Sequence, residues 1–422
     1  MMNLAPSGWT NDRLKDVSAV NASSLPANTD ADYEFDYLEI SNVNYFGIVD
    51  PEQIERLRYE DAPSRARRRI APNSTIISSV RPNLQAVAFI PDAGADLVCS
   101  TGFNVVQPHE ARLSPRFSYF ALISESARQY FEAAATGVGY PAVGDKEFNS
   151  FPVPLPPLPE QQRIAAYLDA SCAAIDAAVA AKRRQLETLD ALRKSTIKRA
   201  VMMGLNPSVK TQRTDVEWIP EMPQHWRLKR VKDVMEFFNT VRVPLSAADR
   251  GVMTEKTYDY YGASGVIDKV EAYHFDGTYI LIAEDGANLL TRSKPLAFLA
   301  TGKFWVNNHA HILKPRWGGD NTFFVTLLEA QDFSLFVTGA AQPKLTMENL
   351  GRFKLAIPRV PEQKEIAAFI REKDAEFRPL FAQIERQIET LVSYRKSLIH
   401  ECVTGQRRVT EADINRVKAH PA

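Results

Sequence analysis

Two histidines near residue 310 have a spacing that could bind a metal ion. His309 and His311 lie two positions apart in the segment Trp305-Val-Asn-Asn-His-Ala-His311. Alternate side chains of a β-strand point to the same face, so a strand here would bring both imidazoles together. A zinc site needs at least three protein ligands, and the sequence offers no third one at a metal-binding spacing. We therefore predict no metal site and expect both histidines to be polar site or core residues.

Other motifs with known chemistry are missing from the sequence. Glu284-Asp285-Gly286 is an acidic turn, which is more typical of a strand-end loop than of a catalytic site. There is no Gly-x-x-x-x-Gly-Lys-Ser/Thr loop for phosphate, no Gly-x-Gly-x-x-Gly for a dinucleotide, no His-Glu-x-x-His zinc motif and no nucleophile elbow. The Asn/Asp-Pro-Pro-Tyr/Phe motif of amino-group methyl transfer is absent as well. We predict that the chain has no catalytic residues.

The composition is that of an ordinary globular protein. The chain has 422 residues with 51 Lys+Arg, 51 Asp+Glu and 45 % hydrophobic residues, which suggests two or three domains. Balanced charge argues against a uniformly basic surface, but it allows local basic patches. The sequence has neither a run of about 18 apolar residues nor a recognisable signal peptide. We therefore expect a cytoplasmic protein with no membrane partner.

The sequence is duplicated. Residues 158–168 (Leu-Pro-Glu-Gln-Gln-Arg-Ile-Ala-Ala-Tyr-Leu) recur 202 positions later as residues 360–370 (Val-Pro-Glu-Gln-Lys-Glu-Ile-Ala-Ala-Phe-Ile). The same offset relates Thr136-Gly137 to Thr338-Gly339 upstream. The stretches 18–135 and 235–337 show no clear similarity. The sequence therefore predicts two unlike globular domains set in two similar frames, with each domain followed by a helix.

Both repeated segments have the pattern of a long amphipathic helix. In the second copy an apolar residue recurs every seven positions, and two more apolar residues occupy the intervening positions of the predicted helix–helix seam. These residues are Ile370, Phe377, Ile384, Leu391 and Leu398, with Leu380 and Tyr394 between them. The first copy has a weaker apolar stripe. Leu168, Ile175 and Leu189 lie in the same seven-residue register, and Leu192 occupies an intervening seam position. We predict that the two helices pack together as an antiparallel coiled coil, and that Pro379 kinks or breaks the second one.

The domains between the helices have mixed α/β patterns. We predict strands on both sides of a turn within residues 74–90, and further strands at 278–283 and 296–300. Residues 115–135 and 321–337 have helical spacing. The proline-rich residues 152–159 predict a stiff extended linker, and residues 206–224 a polar joint. The predicted fold class is α/β, with two mixed domains separated by two long helices and an internal pseudo-two-fold repeat.

Taken in order, these motifs resemble type I restriction-modification specificity subunits. Pro156-Pro-Leu-Pro-Glu-Gln161 and Ile357-Pro-Arg-Val-Pro-Glu-Gln363 are similar to the starts of the helical regions in that family. Four motifs resemble a first target-recognition domain: Ile40-Ser-Asn-Val43, Ser79-Val-Arg-Pro82, Cys99-Ser-Thr-Gly-Phe103 and Thr136-Gly137. Three more resemble a second such domain with a different specificity: Tyr260-Tyr-Gly-Ala-Ser-Gly265, Glu284-Asp-Gly286 and Asn307-Asn-His309. The resemblance covers essentially the whole chain.

The resemblance divides the chain into six parts. The predicted boundaries are 1–157 for the first target-recognition domain, 158–205 for the first spacer helix, 206–224 for a linker, 225–358 for the second target-recognition domain, 359–406 for the second spacer helix and 407–422 for a C-terminal tail.

The resemblance also implies a function. Each target-recognition domain would recognise one half of a bipartite, asymmetric sequence in double-stranded DNA, and the helices would set the spacer and dock two DNA-methyltransferase (modification) subunits. Restriction subunits that act as translocases would join the complex. S-adenosylmethionine, ATP and magnesium would bind to those partners, and this chain would hold no cofactor.

Candidate DNA-contacting residues follow from hydrogen-bonding chemistry. Arginine suits guanine edges, asparagine suits adenine edges, and Lys, Ser, Thr and Tyr suit the backbone. The predicted contacts are Arg81, Asn83, Ser100, Thr101, Tyr140 and Lys146 in the first domain, and Tyr261, Ser264, Arg292, Lys294, Asn307, Asn308 and Lys344 in the second. The basic run at residues 65–69 is either a phosphate clamp or a solvated helix end.

Two other classes of function remain open at this point. A non-catalytic two-headed scaffold that binds proteins would have the same duplicated frame. A self-contained restriction enzyme would need a catalytic domain, for which two domains and two long helices leave little room in 422 residues.

Overall fold

The computed structural model describes residues 8–43, 47, 49–80, 86–94, 96–137, 139, 141–339 and 341–419. The chain forms two compact units: unit 1 comprises Met1–Arg184 and Glu385–Ala422, and unit 2 comprises Gln185–Ile384. Two long helices, α5 (Leu158–Met203) and α11 (Val360–Val403), run through both units. Each unit therefore joins one globular head to the first part of one long helix and the last part of the other.

Head 1 is the globular part of unit 1, residues 8–157. Its strands are β1 (Thr10–Arg13), β2 (Ser18–Val20), β3 (Glu34–Leu38), β4 (Glu55–Arg58), β5 (Ala66–Arg69), β6 (Ser74–Ser78), β7 (Val87–Ile90), β8 (Leu97–Ser100), β9 (Phe103–Pro108) and β10 (Pro152–Leu155). Its helices are α1 (Leu14–Val17), α2 (Pro115–Leu122), α3 (Glu125–Ala134) and α4 (Asp145–Asn149). Eight of these strands form two four-stranded sheets, in the orders β2-β9-β6-β7 and β4-β3-β8-β5.

The strands predicted around residues 74–90 are present as β6 and β7, paired antiparallel. The predicted helix over 115–135 is two helices: α2 ends at Leu122, and Ser124 caps the start of α3 by accepting a hydrogen bond from Ala127 N at 3.3 Å. The predicted linker at 152–159 is wrong for its first half. Residues 152–155 form β10, which pairs antiparallel with β1. Pro152 and Pro154 alternate along this two-stranded ribbon, so their missing N–H groups lie on one edge.

Head 2 is the globular part of unit 2, residues 211–357. Its strands are β11 (Thr211–Val216), β12 (Ile219–Pro223), β13 (Arg227–Arg230), β14 (Met235–Phe237), β15 (Tyr258–Gly262), β16 (Gly265–Val270), β17 (Phe275–Ala283), β18 (Ala297–Val306), β19 (Ala310–Pro315) and β20 (Lys354–Ile357). Its helices are α6 (Val231–Val234), α7 (Ala247–Gly251), α8 (Asn288–Thr291), α9 (Asn321–Glu329) and α10 (Met347–Arg352). Six of these strands form one sheet in the order β14-β19-β17-β18-β15-β16.

The central strand β17 is buried on both faces. Ile280 and Ile282 belong to the core that contacts the long helices. Leu281, between them, packs into a second core with Phe304 and Ile312. This alternation follows the two-residue period of a strand. The strand predicted at 278–283 lies within β17, and the one predicted at 296–300 overlaps β18.

Two predictions for head 2 are corrected by the structure. The helix expected over 321–337 ends with α9, and a short 3-10 turn at Ser334–Phe336 follows. The polar joint expected at 206–224 contains the hairpin of β11 and β12. Val216, Ile219 and Met222 of this hairpin are buried against Val201 of α5. A few apolar residues thus fix a segment whose average composition is polar.

The long helices run antiparallel within each unit. In unit 1, Asp176 of α5 pairs with Arg395 of α11 at 3.1 Å, and Tyr167 lies under the guanidinium of Arg407. In unit 2, Arg193 of α5 pairs with Asp374 of α11 at 2.7 Å. Gly204, just beyond α5, lies against Glu362 near the start of α11. Residue numbers therefore rise along one helix as they fall along the other.

The buried face of the helices differs partly from the predicted stripe. Ile370, Phe377, Ile384 and Leu398 are at most 7 % exposed, but Leu380 and Tyr394 are 41 % and 48 % exposed. Leu192 of α5 is 56 % exposed. The predicted intervening seam positions are therefore wrong, because each helix segment also packs against a head and its buried face is not a simple heptad seam.

Pro379 does not break α11, which continues from Val360 to Val403. A proline removes one backbone hydrogen bond from a helix. Phe377 and Ile384 are buried on both sides of it, and this packing holds the helix together. After α11, helix α12 (Glu411–Ala419) occupies the predicted tail.

α5 is long and apolar enough to cross a membrane by composition alone, with a mean hydropathy of 1.5 in its most apolar 18-residue window, of which 44 % is buried. Its Ile164, Leu168, Ile175 and Val179 are buried in the unit 1 core. Its Asp169 and Asp176 pair with Arg116 and Arg395. These contacts account for its composition as that of a core helix.

Candidate nucleic-acid interface

A buried ion pair between Arg242 and Glu284 lies at one end of the head 2 sheet. Glu284 follows β17, and its Oε2 lies 2.6 Å from Nη1 of Arg242. Arg242 also donates to the carbonyl oxygen of Ala310 at 2.7 Å and of Asn308 at 3.3 Å. Burial acts to raise the pKa of Glu284, but the hydrogen bond from Arg242 and nearby positive charge outweigh it and leave the pKa below its usual value. Glu284 is therefore a buried carboxylate that holds several loops together.

His311 extends this network into the core and is fully buried. Its Nε2 lies 2.7 Å from the carbonyl oxygen of Leu345, which can only accept, so Nε2 carries the proton. Its Nδ1 accepts a hydrogen bond from Nδ2 of Asn239 at 2.7 Å. Burial lowers the pKa of His311. The ring is thus neutral, and it links strand β19 to the loop before α10.

The two histidines do not form a metal pair. His309 Nδ1 lies 2.8 Å from Asp285, while His311 is used internally as described above. Within the described part of the chain, no group of three or more His, Cys, Asp or Glu side chains could hold a metal ion. As predicted, both are polar site or core residues, and Glu284-Asp285-Gly286 is a strand-end turn.

The network presents polar groups to solvent. Asn308 and Lys344 are exposed, and the side chain of His309 is 45 % exposed. Lys344 Nζ lies 3.4 Å from Glu284, so it stands over the buried carboxylate. We call Asn308, His309 and Lys344 the head 2 polar surface. An amide, an imidazole held by Asp285 and an ammonium group held by Glu284 suit hydrogen bonds to phosphates or base edges.

The other predicted head 2 residues either lie away from the head 2 polar surface or make contacts inside the head. Asn307 is 6 % exposed, and its Oδ1 accepts from His309 N. Tyr261 is half-buried and stacks on Phe298. Ser264 is exposed in the turn between β15 and β16.

Arg292 and Lys294 lie beyond α8. The guanidinium of Arg292 bonds to the carbonyl oxygen of Gln331 at 3.2 Å and to Glu329. Arg292 has a φ of 52°, a left-handed backbone that is uncommon for a non-glycine residue. Lys294 is exposed. The structure therefore brings together Asn308 and Lys344, and it gives Asn307 and Arg292 internal roles.

In head 1, two predicted residues, Ser100 and Thr101, lie at one turn. Ser100 is 3 % exposed, and its Oγ accepts from Gly102 N. Thr101 is exposed at the turn between β8 and β9. Ser79 at the end of β6 donates to the carbonyl oxygen of Gly102 at 3.0 Å. Lys146 is exposed on α4. The predicted contacts Arg81, Asn83 and Tyr140 lie outside the described residues.

The basic run at residues 65–69 is not a helix end. Most of it forms β5, and its arginines have partners inside head 1. Arg65 pairs with Glu39 at 2.6 Å. Arg68 bonds to Phe103 O and to Asn104. Arg67 and Arg69 lie over the rings of Tyr59 and Tyr33.

A repeated loop lies next to both candidate surfaces. Thr136 pairs with Ala142, and Thr338 pairs with Lys344, 202 residues later in each case. The first loop also bridges to Val80 after β6, and the second bridges to Asp285 after β17. Two heads with different sheets thus hold the same loop against the end of a buried strand.

Comparison with known proteins identifies the family. A model of the type I restriction modification DNA specificity domain matches residues 6–188 and 223–390. The chain belongs to this family. As a member, it is a DNA specificity subunit of a type I restriction-modification system and is itself non-catalytic. The two matches coincide with the two heads and the helix starts that follow them.

Individual relatives of this specificity subunit match at modest identity. A putative type I specificity subunit of Haemophilus influenzae is 31 % identical over 157 residues, which is 37 % of each chain. The MjaIX specificity subunit of Methanocaldococcus jannaschii is 21 % identical, over 96 % of this chain and 95 % of its own.

Solved structures match its fold. One, from work on complex assembly and conformational transition of the type I R-M system, has a TM-score of 0.74 at 20 % identity and covers 96 % of this chain and 100 % of its own. The HsdS subunit of Thermoanaerobacter tengcongensis has a TM-score of 0.50 at 20 % identity, with 96 % and 99 % covered.

Arg242 and the glutamines of the repeated Pro-Glu-Gln motif have structural roles that were not predicted from the sequence. Gln161 and Gln363 are 1 % and 3 % exposed, and both hydrogen-bond to their heads. Their recurrence at one offset was visible in the sequence and marked them as part of the shared frame. Nothing comparable marked Arg242, which has no counterpart in the repeat.

Proposed function

We propose that each head recognises one half of a bipartite, asymmetric DNA sequence, and that the paired helices set the unread spacer between the halves. The observation that carries this proposal is the contrast between frame and heads. The helices, their starting motif and the loops at 136–142 and 338–344 are repeated, whereas the sheets of the two heads differ. Two heads that join the helices in the same way but have different sheets suit a DNA target with two different halves.

The surfaces suited to DNA lie where the repeated loops meet strand ends. In head 2 this is the polar surface of Asn308, His309 and Lys344, and in head 1 it is the neighbourhood of Thr101 and Lys146. Both are small and polar, which fits a chain without net charge. Affinity for DNA would then come from a few local contacts.

The remaining partners complete the proposal. Two DNA-methyltransferase (modification) subunits dock on the helices and supply S-adenosylmethionine chemistry, and restriction/translocase subunits use ATP and magnesium. This chain binds none of these cofactors and acts in the cytoplasm. Exposed apolar side chains on the helices, Leu192, Leu380 and Tyr394, support a docking role for them.

Genome-wide mapping of adenine methylation, with and without this gene, tests the proposal. We expect one motif with two specified halves and an unspecified spacer to lose methylation when the gene is deleted. The loss of an uninterrupted motif, or no change in methylation, would contradict the proposal. Restoring the gene should restore the same motif.

A further inference from the structure

The glutamine of the repeated Pro-Glu-Gln motif joins three elements in unit 1. Gln161 Oε1 accepts a hydrogen bond from the backbone N of Ser114 at 2.8 Å. Its Nε2 donates to the carbonyl oxygens of Arg112 and Pro156, both at 2.9 Å. Ser114 is the N-cap residue of α2, and Pro156 follows β10. One buried amide thus ties the first turn of α5 to a helix and to the final strand of head 1.

The equivalent glutamine does the same in unit 2. Gln363 Oε1 accepts from the backbone N of Asp320 at 3.3 Å, and Nε2 donates to the carbonyl oxygen of Pro358 at 3.0 Å. Asp320 is the N-cap residue of α9. α2 and α9 therefore occupy corresponding places, although the surrounding head sequences have no clear similarity.

A second bond, two turns further along each long helix, joins the same pair of helices. In unit 1, Arg116 of α2 pairs with Asp169 of α5 at 2.6 Å. In unit 2, Thr322 of α9 accepts from Arg371 of α11 at 3.2 Å. Both contacts lie two residues after the N-cap of the head helix and eight residues after the glutamine. The two contacts occupy corresponding positions, but the arginine is on the head helix in unit 1 and on the long helix in unit 2.

We propose that Gln161 and Gln363 are positioning residues for DNA recognition, with the Arg116–Asp169 and Thr322–Arg371 pairs as their second points of attachment. Two polar points, added to the apolar core that the head helix shares with the long helix, fix both the place and the direction of the head helix. The joint therefore sets the direction in which each head presents its DNA surface. This inference rests on the proposed bipartite recognition.

Substitution of Gln161 should be disruptive, because its buried amide is the hydrogen-bond partner of three backbone groups. Leucine at position 161 fills similar space but leaves the N–H of Ser114 and two carbonyl oxygens without partners. The adjacent Gln162 is exposed, so Gln162→Leu is a matched control. A merely structural role would lower activity equally on every DNA. A positioning role changes which spacing between the half-sites is accepted.

The test uses the specificity subunit assembled with its modification subunits. Methylation is measured on the cognate site, on sites whose spacer is one base pair shorter or longer, and on sites with one altered base in a half-site. We expect Gln161→Leu and Gln363→Leu each to reduce the preference for the cognate spacer by about tenfold, with base discrimination unchanged. Gln162→Leu should keep the wild-type preference.

If a glutamine variant fails to assemble, two variants of the Arg116–Asp169 pair test the same positioning role. Asp169→Arg places two like charges together and should reduce spacer preference. Adding Arg116→Thr to it reproduces the Thr322–Arg371 chemistry and should restore the preference. Equal losses on all substrates, an unchanged preference, or no rescue by the double variant would overturn the positioning role. A wild-type complex that ignores spacer length would instead refute the bipartite function itself.

Discussion

The guanidinium of Arg242 lies 2.6 Å from the carboxylate of Glu284, with side-chain exposures of only 14 % and 11 %. Removing one partner of such a pair leaves a buried charge uncompensated. We expect Arg242→Met to lower the free energy of unfolding of head 2 by about 3 kcal/mol. Hydrogen exchange of the amides in β17 and β19 measures this loss. The double variant Arg242→Met/Glu284→Gln should recover part of it, and no recovery would contradict the role assigned to the buried charge.

Acid should destabilise head 2 in two steps. Burial lowers the pKa of His311 from 6.5, so the unfolded chain takes up a proton before the folded one and stability falls as the pH drops below about 6.5. The pKa of Glu284 is also lowered, from 4.5, and its contribution is lost at more acidic pH. His311→Gln retains a donor for Leu345 but cannot titrate. Its unfolding free energy should fall less steeply between pH 7 and 5 than that of the wild type, and an identical slope would exclude His311 as the source.

Lys344 provides a test of the head 2 polar surface. If its ammonium contacts a phosphate, Lys344→Ala should weaken all DNA sequences about equally and reduce the salt slope of log K by roughly one. Lys229, exposed on β13 at the strand pair leading into α11, is a control of equal charge. Titrations of the assembled complex at several salt concentrations measure both variants. Equal slopes for Lys344→Ala and the wild type would place the DNA elsewhere.

The unlike heads should be exchangeable. Replacing residues 18–135 with the corresponding segment of another specificity subunit should change one half of the recognised sequence and leave the other half and the spacer intact. Methylation mapping of the chimera provides the measurement. A change in both halves would mean that one head does not correspond to one half-site.

Helix length should set the spacer. Four residues inserted after Arg184 and after Arg386 add about 6 Å to each helix and, being close to one turn, rotate the apolar face only slightly. The half-sites should stay the same while the spacer lengthens by one or two base pairs, since DNA rises about 3.4 Å per base pair. An insertion mutant that assembles but methylates only the original spacing would show that another element sets the distance.

The sequence predicted the frame better than the details of the heads. Repetition at a single offset located the helices and the motif containing Gln161 and Gln363, because shared function leaves shared residues. Local composition misled where tertiary contacts dominate: Pro152 and Pro154 lie in a strand because β1 lies beside them, and Val216 and Met222 anchor a hairpin that is polar on average.

The candidate site was predicted only in part, for a similar reason. Asn308 and Lys344 were predicted as DNA contacts, and both are exposed beside the buried Arg242–Glu284 pair. Asn307 and Arg292 have the same side-chain chemistry as base-contacting residues, but internal partners use it. Residue type gives the chemistry available, but the partners that the fold supplies decide how it is used. Asn307 is buried, and the exposed Arg292 bonds to Gln331 and Glu329, far from it in sequence.

Because unit 1 is built from both ends of the chain, its two parts are synthesised far apart in time. The core of head 1 includes Leu398, Ile399, Cys402 and Val403 of α11, which leave the ribosome only after all of unit 2 has been made. Unit 2, by contrast, is continuous from Gln185 to Ile384. At typical bacterial rates of about 5–20 residues per second, the first head made waits tens of seconds for its last helix. The second head can thus complete its core before the first one.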